Sequence, residues 1–129
     1  KRAECFVKEY SSFETIPGVH LNGKLTLGEN TADNGGLRLA FMALMDTLKE
    51  KPAGKIDGYT PEQRFFLGWG QVWCQNQTPE VARLRANVDP HSPGKFRVNG
   101  VVSNMPEFQK AFACRAEQPM VRQPACRVW

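Results

Sequence analysis

Two carboxylates, Glu29 and Asp33, stand four residues apart in TLGENTADNGGL, residues 26–37. An apolar run with helical spacing follows at Leu37, Ala40, Phe41, Leu44, Met45 and Leu48. At about 100° per residue, Asp33 points roughly 50° from the centre of that stripe and Glu29 roughly 90° from it. Asp33 is therefore expected within the buried face and Glu29 at its edge. A buried ionised carboxylate is costly without a partner, and a metal ion, a histidine or an arginine could each serve. Both acids also have plainer structural readings. Thr26-x-x-Glu29 fits a capping box, in which Glu29 bonds back to the threonine amide. Acids in general favour the first turns of a helix because of its dipole. Gly35-Gly36 weakens the helix at this point, yet would let another backbone come close.

A second dense stretch is DPHSPGKFRVNG, residues 89–100. Asp89, two residues before His91, could orient the imidazole through a ring nitrogen. Arg97 could grip a carbonyl or carboxylate with its guanidinium fork. Loops held by a rigid scaffold are common places for such chemistry, although ordinary polar side chains on a surface turn would read the same way. Other chemistries find less support. No G-x-S-x-G marks a serine nucleophile, and no signature marks a cysteine one. The two histidines, His20 and His91, are too few for an all-histidine metal site. His20, in Gly18-Val19-His20, reads as structural.

The elements that must hold these residues are mainly α, about five helices joined by irregular loops. The spacing predicts a first helix from Arg2 to Tyr10, then irregular chain over 11–25 with turns at Pro17-Gly18 and Asn22-Gly23. The longest helix starts near Leu27 and ends at Lys51-Pro52-Ala53-Gly54. Thr60-Pro61-Glu62-Gln63 is a strong helix start, and Phe65, Trp69, Val72 and Trp73 form the apolar face behind it. Gly68 and Gly70 each weaken that helix by up to about 1 kcal/mol against alanine, so something large is expected to approach there. Thr78-Pro79-Glu80 starts a short helix ending near Asn87. No helix is expected over 88–104, where Val98, Val101 and Val102 suggest a short extended piece. Asn104-Met105-Pro106-Glu107 restarts a helix, and the tail from Cys114 reads as irregular.

The chain of 129 residues fits one domain. Its net charge of +4 arises from 17 basic and 13 acidic residues that are scattered, which argues against a nucleic-acid partner. No apolar run approaches the roughly 18 residues of a membrane span. The opening KRAECFVKEY has helical spacing without a cap, as though cut from something longer. The four cysteines, Cys5, Cys74, Cys114 and Cys126, form no C-x-x-C. Their even number leans towards an oxidising compartment, with three connectivities open.

Four stretches, NGKLTLGENTADNGGL, TPEQRFFLGWGQVWC, DPHSPGKFRVNGVVSNMPEF and the terminal CRVW, resemble the C-terminal part of the neprilysin and endothelin-converting-enzyme family of zinc metallopeptidases, in that family's order. The resemblance covers nearly the whole chain and implies the C-terminal portion of a zincin-type catalytic domain. It implies that Glu29 is the third protein ligand of a catalytic Zn2+. Asp33 and His91 would be catalytic, Asp33 by bonding a zinc-bound histidine and His91 by donating to the oxyanion. Asp89 would support His91, Arg97 would bind a backbone carbonyl of the peptide substrate, and Cys5 would pair with Cys126.

One departure from the family is large. The sequence contains no H-E-x-x-H, the source of two zinc histidines and of the glutamate that activates water. The family's asparagine-alanine motif is missing too. Both would lie upstream of Lys1, so residues 1–129 are expected to be the C-terminal segment of a longer peptidase. Alone, the chain should neither hold zinc tightly nor cut peptides. Its partners would be peptide substrates and the missing N-terminal part of the catalytic domain, whose absence would expose faces of the second and third helices and favour self-association. Cys74 and Cys114 would pair with upstream cysteines in family members that carry them, and are expected to be free in this chain. The implied location is extracytoplasmic: secreted, periplasmic or the ectodomain of an anchored enzyme. The absent H-E-x-x-H favours the competing reading, a non-catalytic interaction module or inactive fragment.

Overall fold

A computed structural model describes residues 1–128; Trp129, the last residue of the CRVW stretch, lies outside the described residues. The described residues form α1 (Arg2–Ser11), β1 (Glu14–Ile16), β2 (Val19–His20), α2 (Leu27–Glu50), α3 (Pro61–Val72), α4 (Pro79–Val88), α5 (Gly94–Ser103) and α6 (Pro106–Ala111). The mainly α expectation holds. No helix is long and apolar enough to cross a membrane.

Three local expectations are corrected. The segment 11–25 is not wholly irregular, since β1 and β2 pair antiparallel around Pro17-Gly18. Gly18 has φ +77°, which suits the third position of a type II turn after proline. These strands are too short for any period-two signal. The Thr26 capping box does not form, because the Thr26 amide already donates to the Asn22 carbonyl at 3.1 Å. Glu29 is therefore free to point elsewhere.

The third correction is α5, which occupies the stretch expected to be non-helical. Two glycines and the β-branched Val98, Val101 and Val102 make this a poor helix by intrinsic preference. Packing overrides that preference. Phe96 enters one core cluster, with Phe6, Tyr10, Leu21, Ala86 and Cys126. Val101 and Val102 enter the other, with Leu37, Phe41, Phe66 and Met105. Gly100 lets α1 approach: a Cβ there would sit 2.9 Å from the Tyr10 hydroxyl. The helix that sequence reading missed thus joins the two cores.

Elsewhere the sequence cues hold with smaller adjustments. Thr60 and Gln63 form a reciprocal cap on α3, at 3.2 and 3.0 Å. Gln63 also donates to the Ala111 carbonyl at 2.9 Å, tying α3 to α6. The buried side of α2 runs through Asn30, Asp33, Asn34, Leu37 and Phe41, while Ala40 is exposed. Leu39 and Met42 on α2, and Leu67 and Val72 on α3, are exposed apolar side chains. A Cβ added at Gly36, Gly68 or Gly70 would meet no other element within 4 Å, so nothing within this chain calls for glycine there.

Candidate active site

The head of α2, the loop after α4 and the first turn of α5 converge. Asp33, with its side chain 9% exposed, accepts both arms of Arg97: Nε to Oδ2 at 2.6 Å and Nη2 to Oδ1 at 2.7 Å. Of the three partners left open by the sequence, an arginine holds this acid. The Arg97 side chain, 13% exposed, is fixed on two further sides. Its guanidinium lies over the Trp73 ring at 3.8 Å from the centroid, a favourable cation–π placement. Trp69 Nε1 donates to the Arg97 carbonyl at 3.1 Å. The hydrogen bonds that Arg97 donates to Asp33 raise the guanidinium pKa above its ordinary value. Nε and one Nη2 proton serve Asp33, which leaves Nη1 for another acceptor. Each Asp33 oxygen likewise keeps acceptor capacity beyond one hydrogen bond.

His91 stands between two acids. Asp89 Oδ1 accepts from the His91 backbone N–H at 2.9 Å and lies 2.9 Å from ring Nδ1. The backbone N–H is the larger influence, ahead of the ring and Arg85, and together they hold the Asp89 carboxyl below its ordinary pKa against a smaller desolvation effect. The other ring nitrogen, Nε2, lies 3.3 Å from Glu29 Oε2. Glu29 is 42% exposed and also lies 3.9 Å from Arg97 Nη2. His91, Asp89 and Arg97 line an open cleft of about 170 Å³ whose wall includes Trp73 and Gln75.

The structure thus brings Glu29, Asp33, Asp89, His91 and Arg97 together. His20 sits exposed on β2. Cys5 and Cys126 form a disulfide, while Cys74 is exposed and unbonded and Cys114 is half-buried and unbonded. Sequence reading missed Trp73, Asn30 and Ser92. Trp73 follows Trp69 by one helical turn, and Asn30 lies one turn ahead of Asn34 on the buried face of α2; those spacings were the available signals.

Among the described residues, no group of three His, Cys, Asp or Glu side chains could hold a metal ion. A catalytic zinc takes about three protein ligands. Glu29, half-exposed beside His91, suits one of them, and the described residues by themselves do not complete the set.

The Asp33–Arg97 pair makes a stability prediction. Asp33→Asn leaves a largely buried guanidinium without its counter-charge, a change that costs about 3 kcal/mol or somewhat more. Urea unfolding should show the corresponding drop in midpoint. An unchanged midpoint would mean that Trp73 and solvent suffice to hold Arg97.

The description of peptidase family M13 matches residues 1–128. Endothelin-converting enzyme 1 of Rattus norvegicus is 43% identical over 132 residues, covering 100% of this chain and 17% of that enzyme. Neprilysin-1 of Caenorhabditis elegans is 43% identical over 136 residues, covering 100% of this chain and 18% of its own length. The crystal structure of the Mycobacterium tuberculosis zinc metalloprotease Zmp1 in complex with an inhibitor superposes with a TM-score of 0.93 at 38% identity, over 99% of this chain and 21% of that one. The chain belongs to peptidase family M13. It spans less than a quarter of the length of each of these relatives.

Proposed function

We propose that this chain is the C-terminal, site-bearing segment of the catalytic domain of a zinc-dependent endopeptidase that hydrolyses small peptides. One observation carries the reading: in a chain of this family, an Asp89-braced His91 and an Asp33-braced Arg97 line one cleft, and Glu29 stands 3.3 Å from the His91 ring. Glu29 is one carboxylate ligand of the metal. The other ligands and the water-activating glutamate come from an H-E-x-x-H elsewhere in the polypeptide, since this sequence has none. Zinc, when bound, supplies Lewis acidity toward the scissile carbonyl.

This chain's own residues do the positioning and charge stabilisation. Asp89 fixes the His91 ring, and His91 donates a hydrogen bond where negative charge develops on the carbonyl oxygen. Arg97, held flat by Trp73 and Asp33, offers Nη1 to a substrate backbone carbonyl. Asp33 keeps lone pairs for a histidine of the zinc site, which would fix that ring as well. The exposed Leu39, Met42, Leu67 and Val72 suit docking of the rest of the domain. The disulfide supports an extracytoplasmic location. The segment alone is inactive.

His91→Ala in the complete enzyme should lower kcat by about 100-fold or more and leave KM nearly unchanged, as for loss of an oxyanion donor. Steady-state kinetics on a short peptide reads this directly. A KM effect with unaltered kcat would reassign His91 to substrate binding.

A further inference from the structure

Between the head of α2 and the loop of His91 runs a buried line of hydrogen bonds with no part in the roles above. Ser92 Oγ donates to Asn30 Oδ1 at 2.7 Å, and Asn30 Nδ2 donates to Thr26 Oγ1 at 2.8 Å. Thr26 Oγ1 in turn donates to the Asn22 carbonyl at 3.2 Å. Every proton in the line points the same way and has an acceptor. The three residues are 4%, 1% and 3% exposed in the order Ser92, Asn30, Thr26. Asparagine is a weak helix former, and an unbonded buried amide is costly. Here both ends of the amide are bonded, one of them to a residue 62 positions away.

The placement of this line gives it a use. Asn30 follows Glu29 directly and Ser92 follows His91 directly. Neighbouring Cα atoms are about 3.8 Å apart, so a bond between Asn30 and Ser92 fixes the spacing between Glu29 and His91. The loop backbone has few donors to offer α2. Pro90 and Pro93 flank His91 and Ser92 and have no N–H to give. The His91 N–H is already committed to Asp89 within the loop. The Ser92 hydroxyl makes the tie to α2.

We propose that Asn30, acting through Ser92, is a positioning residue that sets the His91 imidazole against Glu29. The inference rests on the reading of Glu29 and His91 as site residues, and its test involves no peptide hydrolysis. In the 129-residue chain, proton NMR should show a cross-peak between the His91 ring and the Glu29 side chain. Ser92→Ala should lose it while keeping the Phe41–Phe66 cross-peak of the distant core, where the rings stack at 5.2 Å. Ser92→Thr, which keeps a hydroxyl, should restore it, and Asn30→Ala should lose it as Ser92→Ala does. A wild-type His91–Glu29 cross-peak in Ser92→Ala, or no restoration by Ser92→Thr, would overturn the proposal. Loss of both cross-peaks in Ser92→Ala would also overturn it, because the hydroxyl would then support the whole fold and not the ring. Failure of the His91→Ala kinetics would sink the peptidase reading alone and leave these NMR outcomes intact.

Discussion

Glu29→Gln, made in the complete enzyme proposed above, is expected to remove both zinc and activity while leaving the stability of this segment unchanged. The substitution keeps the shape of the side chain and deletes its charge. Within the segment that charge has little structural work. Glu29 is 42% exposed, its contact with His91 Nε2 is 3.3 Å, and its distance to Arg97 Nη2 is 3.9 Å. Exposed ion pairs of this sort contribute about 0–1 kcal/mol, so a melting curve should hardly move. A zinc ligand behaves differently. Losing a group that merely braces a ligand already weakens metal binding by roughly 10–100-fold, and losing the ligand itself should exceed that range. Dialysed protein should therefore contain little zinc and show no hydrolysis above background. The paired measurement separates the readings. Full zinc content and activity would take Glu29 off the metal, whereas a large fall in melting temperature would make it a structural residue.

The contrast between Glu29 and Asp33 shows how far sequence could go. Periodicity placed Asp33 on the buried side of α2 and demanded a partner for it, and the structure supplies one. Which of three partners it would be depended on how α5 packs against α2. Α5 itself was illegible, since its glycines and valines argue against a helix and only burial on both sides makes one form. Local chemistry was readable where it was self-contained. The Thr60–Gln63 cap needs four consecutive residues and no context, and it formed as expected. The similar-looking Thr26–Glu29 pair failed because the turn from Asn22 had already taken the threonine amide. The site followed the same rule. Asp89 and His91 are neighbours in the chain and could be paired by inspection. Arg97 on Trp73, or Ser92 on Asn30, joins residues from different elements, and no local spacing encodes those contacts.

Removing the Cys5–Cys126 disulfide should cost about 5 kcal/mol in the chain-entropy model. The bridge spans a sequence separation of 121, so it constrains nearly the whole unfolded chain. Its position in the fold argues against a small effect. Cys126 is buried beside Phe6, Tyr10 and Phe96, where the first helix, α5 and the tail meet. The tail beyond α6 has no helix or strand among the described residues. It is held by separate contacts: Arg122 N–H to the Ser103 carbonyl at 3.1 Å and Cys126 N–H to Asn104 Oδ1 at 2.8 Å. Arg2 also donates to the Val128 carbonyl at 2.9 Å. Asn104 in turn donates to Glu9 Oε2 at 2.8 Å, and burial of Glu9 pushes its carboxyl pKa up, against that hydrogen bond and the nearby Arg122. Releasing the tail would open this buried network to water and loosen α1 from α5. Against a typical total of about 5–15 kcal/mol, a loss of that size would remove roughly a third or more of the folding free energy. The test is urea unfolding of Cys5→Ala/Cys126→Ala, which avoids exchange with the unbonded Cys74 and Cys114 that reductant would provoke. A midpoint equal to that of the parent chain would show that the tail is held by its hydrogen bonds and the core around Phe6, and that the bridge adds nothing to the folded state.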